Sequence, residues 1–189
     1  MEEPWKAQLQ ELGERLCRFG YQEIASNLAK RDLNGDSLIE LLNHRSRKVG
    51  DTALGLLDRR RDGPPLVLQA VLSNRFTHKD AKVRATNLLA GRGRTFPEAM
   101  TAYLHLLGDR SAHVVYGALF GVVFFQDRAQ LKNLECWRNV LSANAKVREK
   151  FDLAIRALRE GNPFLFSPGF KDSNDVWGSD RKRFADRIG

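Results

Sequence analysis

The chain has 189 residues, with 31 lysines and arginines against 23 aspartates and glutamates, and so a net charge of +8. Its length suits one domain or one short repeat array, and hydrophobic and charged fractions of 42% and 29% exclude a largely disordered chain. The two cysteines exclude a disulfide framework, and we find neither a signal peptide nor a membrane-spanning run, so we expect a cytoplasmic protein without membrane contact.

Helical periodicity begins near the N-terminus and continues through most of the chain. Apolar residues over 4–19 and 21–31 predict two helices, and we assign residues 1–35 to an N-terminal helical cap. Residues 36–160 show the pattern helix A, short turn, helix B, four times over, without any alternating strand pattern. We therefore predict an all-α fold. The four helix pairs occupy residues 36–61, 62–91, 95–125 and 127–160.

Helix A of each pair begins with a start signal. Ser37–Glu40 and Thr95–Glu98 have the Ser/Thr-x-x-Glu form of a capping box, in which side chains satisfy backbone N–H groups of the first turn. Pro64 begins the second pair, since proline is tolerated in the first turn of a helix. Asp127 begins the fourth pair.

Helix B of each pair carries a repeated motif. We expect its first residue, Ser, Asp or Asn, to be the N-cap, and its valine to begin a buried stripe that continues four residues later. In the second pair that later residue is Asn87, for which we expect an interhelical hydrogen bond. Periods in this range are typical of helical solenoids. The four motifs, 34, 31 and 33 residues apart, are Ser46–Val49, Asp80–Val83, Ser111–Val114 and Asn144–Val147.

These motifs resemble those of the HEAT-repeat family, including its short bacterial forms. Helix B of that family opens with Asp, then a small residue or Pro, then Val and Arg. Asp80–Arg84 and Asn144–Arg148 match best, whereas Gly50 and Val115 stand where the other two repeats would have the arginine. The resemblance covers roughly two thirds of the chain and implies a right-handed α-α superhelix whose B helices line the concave face. It also implies that the motif arginine pairs with an acidic side chain of the neighbouring repeat.

The C-terminal residues 161–189 break the repeat. Their density of aromatic side chains predicts a segment that packs over the last repeat as a cap. An arm that reaches for a partner is the alternative. The aromatic residues concerned are Phe164, Phe166, Phe170, Trp177 and Phe184.

Residues 44–94 hold twelve basic and four acidic side chains and so account for the whole net charge. Such segregation indicates a partner. The residues before the motif valines would form a column on the B helices of a stacked array, although ordinary solvent exposure explains the same pattern. These are Lys48, Lys82, His113 and Lys146. The other candidate contacts are cations at turns and helix ends, namely Arg59, Arg60, Arg61, Arg75, Lys79, Arg84, Arg92 and Arg94.

The sequence contains no catalytic motif. Its four histidines lack metal-ligand spacing, and there is no nucleophile elbow, P-loop or dinucleotide fingerprint, so we expect no enzyme activity, no cofactor and no metal. Cys136 has no basic neighbour to lower the pKa of its thiol and is predicted to lie in the core.

Two functions fit this pattern. A non-enzymatic HEAT-like module would hold a protein with an acidic surface on its B helices, and the resemblance includes small bacterial immunity proteins that inhibit a toxin. Nucleic-acid binding is the alternative, because HEAT-like DNA glycosylases hold duplex DNA in a basic concave groove. Since the charge is local, either function would use a shaped contact rather than general affinity for polyanions.

Overall fold

The computed structural model describes residues 4–92, 95–141 and 145–166, and all regular secondary structure in these residues is helical. The predicted all-α fold is therefore confirmed. Short 3₁₀ turns lie at Arg128–Gln130 and Pro163–Leu165. The α-helices are α1 (Pro4–Leu16), α2 (Tyr21–Ala29), α3 (Gly35–Leu42), α4 (Arg47–Arg59), α5 (Gly63–Leu72), α6 (Lys79–Arg92), α7 (Ala99–Leu106), α8 (Ala112–Phe125), α9 (Leu131–Val140) and α10 (Ala145–Glu160).

The chain forms two compact units that divide between Leu89 and Ala90, inside α6. In the first unit, α3 packs against α1, α4 and α5, and α4 also packs against α2 and α5. In the second unit, α7 packs against α8, and α10 packs against both α8 and α9. The A and B helices of the first, third and fourth predicted pairs are therefore neighbours in the structure.

The backbone at the start of two B helices is capped by an upstream side chain rather than by the motif residue. Ser46 and Ser111 stand at the N-cap positions of α4 and α8, but neither side chain makes a capping hydrogen bond. Instead, Nδ1 of His44 accepts the backbone N–H of Ser46 at 3.0 Å, and Oδ1 of Asp109 accepts that of Ser111 at 2.8 Å. The N-cap role predicted for the two serine side chains is wrong.

Both predicted capping boxes are also wrong. The N-cap of α3 is Asn34, whose Oδ1 accepts the backbone N–H of Ser37 at 2.8 Å, so the serine lies inside the helix. Helix α7 begins only at Ala99, and the hydroxyl of Thr95 donates to the carbonyl of Arg92 instead. In both places a neighbouring acceptor or turn satisfies the backbone groups that the motif was expected to satisfy.

The buried residues recur at a regular interval from one B helix to the next. In α6, however, the first buried residue lies two positions earlier than the motif predicts. Asn87 is exposed and Val83 is only partly buried, so Asn87 is not a core residue and the prediction for it is wrong. The first core residues of the four helices are 32, 33 and 33 residues apart. The buried residues at positions one, five and nine of each stripe are Val49, Ala53 and Leu57, then Ala81, Ala85 and Leu89, then Val114, Ala118 and Val122, then Val147, Phe151 and Ile155.

Other predictions concern the second unit. The apolar run 114–125 forms most of α8 and is largely buried, and no helix in the described ranges is long and apolar enough to cross a membrane. Cys136 is exposed on α9, so its predicted core position is wrong.

The predicted aromatic segment at the C-terminus is described only in part. Phe166 is buried, Phe164 is 39% exposed, and the 3₁₀ turn that holds Phe164 packs against α10. The remaining aromatic residues of this segment, Phe170, Trp177 and Phe184, lie outside the described residues.

Candidate partner-binding surface

The side chain of Arg84 is buried in the interior of the first unit. Its side chain is 8% exposed, its Nε donates to Oδ1 of Asp51 at 2.8 Å, and its Nη1 donates to the carbonyl of Leu42 at 3.4 Å. A methyl group added to Gly50 would lie 2.6 Å from Cζ of Arg84, so the glycine leaves the space that the guanidinium fills. Arg84 of α6 thus pairs with an acidic side chain of the preceding B helix, α4. Arg148, at the matching motif position, is exposed.

Asp51 joins that interior pair to the surface. Its Oδ2 accepts from the Tyr21 hydroxyl at 3.3 Å and from Nε of Arg47 at 3.3 Å, while Oδ1 accepts from Arg84. The Tyr21 residue is 47% exposed, although its hydroxyl is held in place. No sequence pattern predicts this contact, because the partners come from α2, α4 and α6.

Arg75 holds the turn between α5 and α6 against α3. Its Nη1 donates to Oδ1 of Asp36 at 2.7 Å and its Nη2 donates to Oε1 of Glu40 at 2.9 Å. Burial alone would lower the pKa of Arg75, but the hydrogen bonds to the two carboxylates raise it overall. The positive charge of Arg75 is therefore already balanced by carboxylates of the same chain.

Arg60 is likewise engaged. Its Nε and Nη2 donate to the two carboxylate oxygens of Asp62 at 2.9 and 3.0 Å, and its Nη1 reaches the carbonyl of Leu33 at 3.5 Å. The hydrogen bond from Arg60 lowers the pKa of Asp62, which keeps the carboxylate ionised. This bidentate pair leaves Arg60 less available to an external anion than its neighbours in the chain.

The predicted column of cations changes at α6. In the observed register, the residue before the first core position is Asp80 rather than the partly buried Lys82. Lys48 is also partly buried, and its Nζ donates to the carbonyl of Phe19 at 2.6 Å, near the end of α1. In the second unit, His113 and Lys146 are both exposed.

The remaining candidate cations differ in their exposure. Arg59, Arg61 and Lys79 are exposed and form no ion pair within the described part of the chain. Arg92 is half-buried, and Arg94 lies outside the described residues. The first unit thus presents two open arginines, Arg59 and Arg61, where α4 ends.

A groove lies between α2 and α4 and reaches Arg59. It has a volume of about 280 Å³, and its lining is mostly apolar. Sequence reasoning missed this groove because Tyr21 follows an ordinary helix break and Gly55 has no motif around it. The lining residues are Tyr21, Gln22, Ala25, Thr52, Gly55, Leu56 and Arg59.

His44 is a buried titratable group outside this surface. His44 is 2% exposed, and because its Nδ1 accepts a backbone N–H, its proton resides on Nε2, which faces Oε1 of Glu14 at 3.4 Å. Burial lowers the pKa of His44, and the nearby Glu14 carboxylate only partly offsets this effect. Among the described residues, no group of three or more histidine, cysteine or acidic side chains is arranged to hold a metal ion.

Comparison with known proteins adds no family to this description. No protein-family model, no curated protein and no solved structure matches the chain. A functional assignment therefore depends on the residues themselves, above all on the groove between α2 and α4 and on the open arginines at its end.

Proposed function

We propose that the chain is a non-enzymatic protein-binding module that holds a partner with an acidic surface. In this proposal the helix pairs stack as a right-handed α-α superhelix of about four HEAT-like repeats, closed by an N-terminal helical cap and an aromatic C-terminal cap. An immunity or inhibitor protein that neutralises a bacterial toxin is the specific form of this function, and it would act in the cytoplasm.

The observation that carries the proposal is the pair of open arginines, Arg59 and Arg61. Residues 44–61, which comprise α4 and its flanks, contain six basic and two acidic side chains. One of those acids, Asp51, already accepts hydrogen bonds from Arg47 and Arg84. Asp62 pairs with Arg60, which leaves Arg59 and Arg61 exposed and without an ion pair in the described residues, and exposed cations of this kind accelerate association with an acidic surface.

The test is charge reversal at these two arginines. The double variant Arg59→Glu/Arg61→Glu should lower the association rate constant for the acidic partner at least about tenfold and weaken its salt dependence. The partner is isolated from the host by affinity capture and measured by surface plasmon resonance. The matched control, Arg110→Glu/Lys132→Glu, makes the same change in net charge at exposed residues of the second unit. An equal loss in the control would show that only net charge acts, and would overturn the proposal.

Nucleic acid is the competing partner, and the structure reduces the number of cations that it could use. Arg60, Arg75 and Arg84 each pair with a carboxylate inside the first unit, so they offer few free donors to phosphate. We expect a short labelled duplex to bind weakly in fluorescence anisotropy. Micromolar binding whose affinity falls steeply between about 50 and 200 mM salt would show that the partner is DNA or RNA rather than a protein.

A further inference from the structure

We propose that the groove between α2 and α4 docks an amphipathic helix of the partner. Apolar side chains of that helix would lie against Ala25, Gly55 and Leu56, and a carboxylate of the helix would bind Arg59. The inference rests on the proposed function, because it specifies which part of an acidic partner the module holds and where.

Gly55 is the first reason to assign a ligand to this groove. It lies exposed in the middle of α4, where glycine destabilises a helix relative to alanine. Packing does not explain it, since a methyl group added there would meet no atom within 4 Å. Gly13 and Gly50 differ, because an added methyl group at either would collide with His44 or Arg84. A bare stretch of helix backbone at the floor of a groove permits close approach by another chain.

Tyr21 is the second reason. Its ring is on the wall of the groove, and its hydroxyl donates to the same carboxylate that binds the buried Arg84. This hydrogen bond, at 3.3 Å, restricts the exposed aromatic side chain before any partner arrives, which reduces the entropy lost on binding. Tyrosines in such positions are enriched among residues that dominate binding energy.

The helices that border the groove favour another helix as the occupant. Helix α2 has nine residues, about 13 Å in length, which matches about two and a half turns of a helix lying alongside it. A second hollow shares Leu56 with the groove and continues past Leu28 and Leu38 on the other side of that leucine. An amphipathic helix fills such a groove with side chains spaced three and four residues apart.

The charges around the groove select an acidic helix. Arg59 lines one end and has no ion pair in the described part of the chain, while Arg60 in the neighbouring hollow is occupied by Asp62. A carboxylate of the ligand would therefore meet Arg59 rather than Arg60. A basic side chain at this end would be repelled by Arg59.

The experiment uses a displayed library of random peptides of about 16 residues, selected on the full-length protein. The variant Gly55→Leu fills the floor of the groove, and Gly91→Leu is the matched control, because Gly91 is a helical glycine with open space that lies outside the groove. Thermal unfolding checks that both variants fold. We expect the selected peptides to carry apolar residues three or four apart with Asp or Glu beyond them. They should bind Gly55→Leu at least tenfold more weakly than the parent protein and the control.

A second measurement separates binding from stability. Gly55→Ala should raise the midpoint of thermal unfolding and yet weaken the selected peptides, whereas a glycine without a binding role would change stability alone. Three outcomes would contradict the proposed docking site. The selected peptides could bind Gly55→Leu as well as they bind the parent protein, their consensus could be basic, or no peptide could be enriched. If charge reversal at Arg59 and Arg61 weakens binding of the captured partner while Gly55→Leu leaves it unchanged, the docking site is wrong and the proposed function stands. If neither change affects the captured partner, both are wrong.

Discussion

The carboxylate of Asp51 accepts hydrogen bonds from Tyr21, Arg47 and Arg84, which belong to three different helices. Its removal leaves the guanidinium of Arg84, which is 8% exposed, without its charged partner. Breaking a buried pair in this way costs about 3–5 kcal/mol, and we expect about 2 kcal/mol for Asp51→Ala because Asp51 itself is one third exposed.

Urea unfolding followed by circular dichroism measures the cost of Asp51→Ala. The control is Asp152→Ala, which removes an exposed ion pair with Arg138 and should change the free energy of unfolding by less than about 1 kcal/mol. If the two variants lowered the free energy of unfolding equally, the burial of Arg84 would not add to the cost of removing Asp51.

His44 makes the stability of the first unit depend on pH. Burial lowers its pKa in the folded protein, whereas the unfolded chain has the ordinary value of 6.5. The unfolded state therefore takes up the proton first as the pH falls. The free energy of unfolding should be independent of His44 above pH 6.5 and should decrease below it.

Chemical unfolding at a series of pH values tests this behaviour. The variant His44→Gln should lose part of the decrease below pH 6.5, while His113→Gln, at an exposed histidine, should retain the slope of the parent protein. A slope that is unchanged in His44→Gln would assign the pH dependence to other groups.

Tyr103 carries a polar group that its surroundings do not satisfy. The residue is fully buried between α7 and α8, and its hydroxyl has no hydrogen-bond partner among the residues the structure describes. Burial also raises the pKa of this hydroxyl, so it remains protonated. Because an unpaired buried hydroxyl is destabilising, Tyr103→Phe should raise the free energy of unfolding by about 1 kcal/mol in a urea titration. A loss of stability would show that the hydroxyl has a partner.

At the scale of the helices, the register of α6 can be tested directly. Ala85 is fully buried and Asn87 is exposed, the reverse of what the repeated motif predicts. Ala85→Leu should therefore overpack the core and cost about 1–3 kcal/mol, while Asn87→Leu should stay within about 0.5 kcal/mol of the parent protein. Urea unfolding of the two variants gives both values, and the opposite order would restore the register of the motif.

The sequence allowed the helices to be predicted, but not the register of α6 or the caps. Helical periodicity survives single substitutions, and the A and B helices of the first, third and fourth predicted pairs are neighbours in the structure. The register of α6 was misjudged because alanines at its core positions are less hydrophobic than Val83, which is only partly buried. The N-cap residues were predicted wrongly because several acceptors lie close together in the sequence, as Asn34 and Ser37 do. Only the path of the backbone decides between them.

At the scale of the whole molecule, charge was the least reliable guide. The excess of cations in residues 44–94 is real, but the structure uses Arg60, Arg75 and Arg84 for internal ion pairs. The partners of Arg75 and Arg84 lie 33 to 39 residues away in the chain, so no local pattern could reveal them. Among the cations of this segment that form no ion pair in the described residues, Arg59 lies at the end of α4 and lines the groove.

The glycines that face large side chains have a consequence for how this protein can change during evolution. A methyl group on Gly50 would collide with Arg84, and one on Gly13 would collide with the His44 ring. A larger residue at either position therefore requires the side chain opposite to move or to become smaller. As sequences of related proteins are collected, positions 50 and 84 should covary, and so should positions 13 and 44, whereas position 55 should vary with the partner's sequence instead.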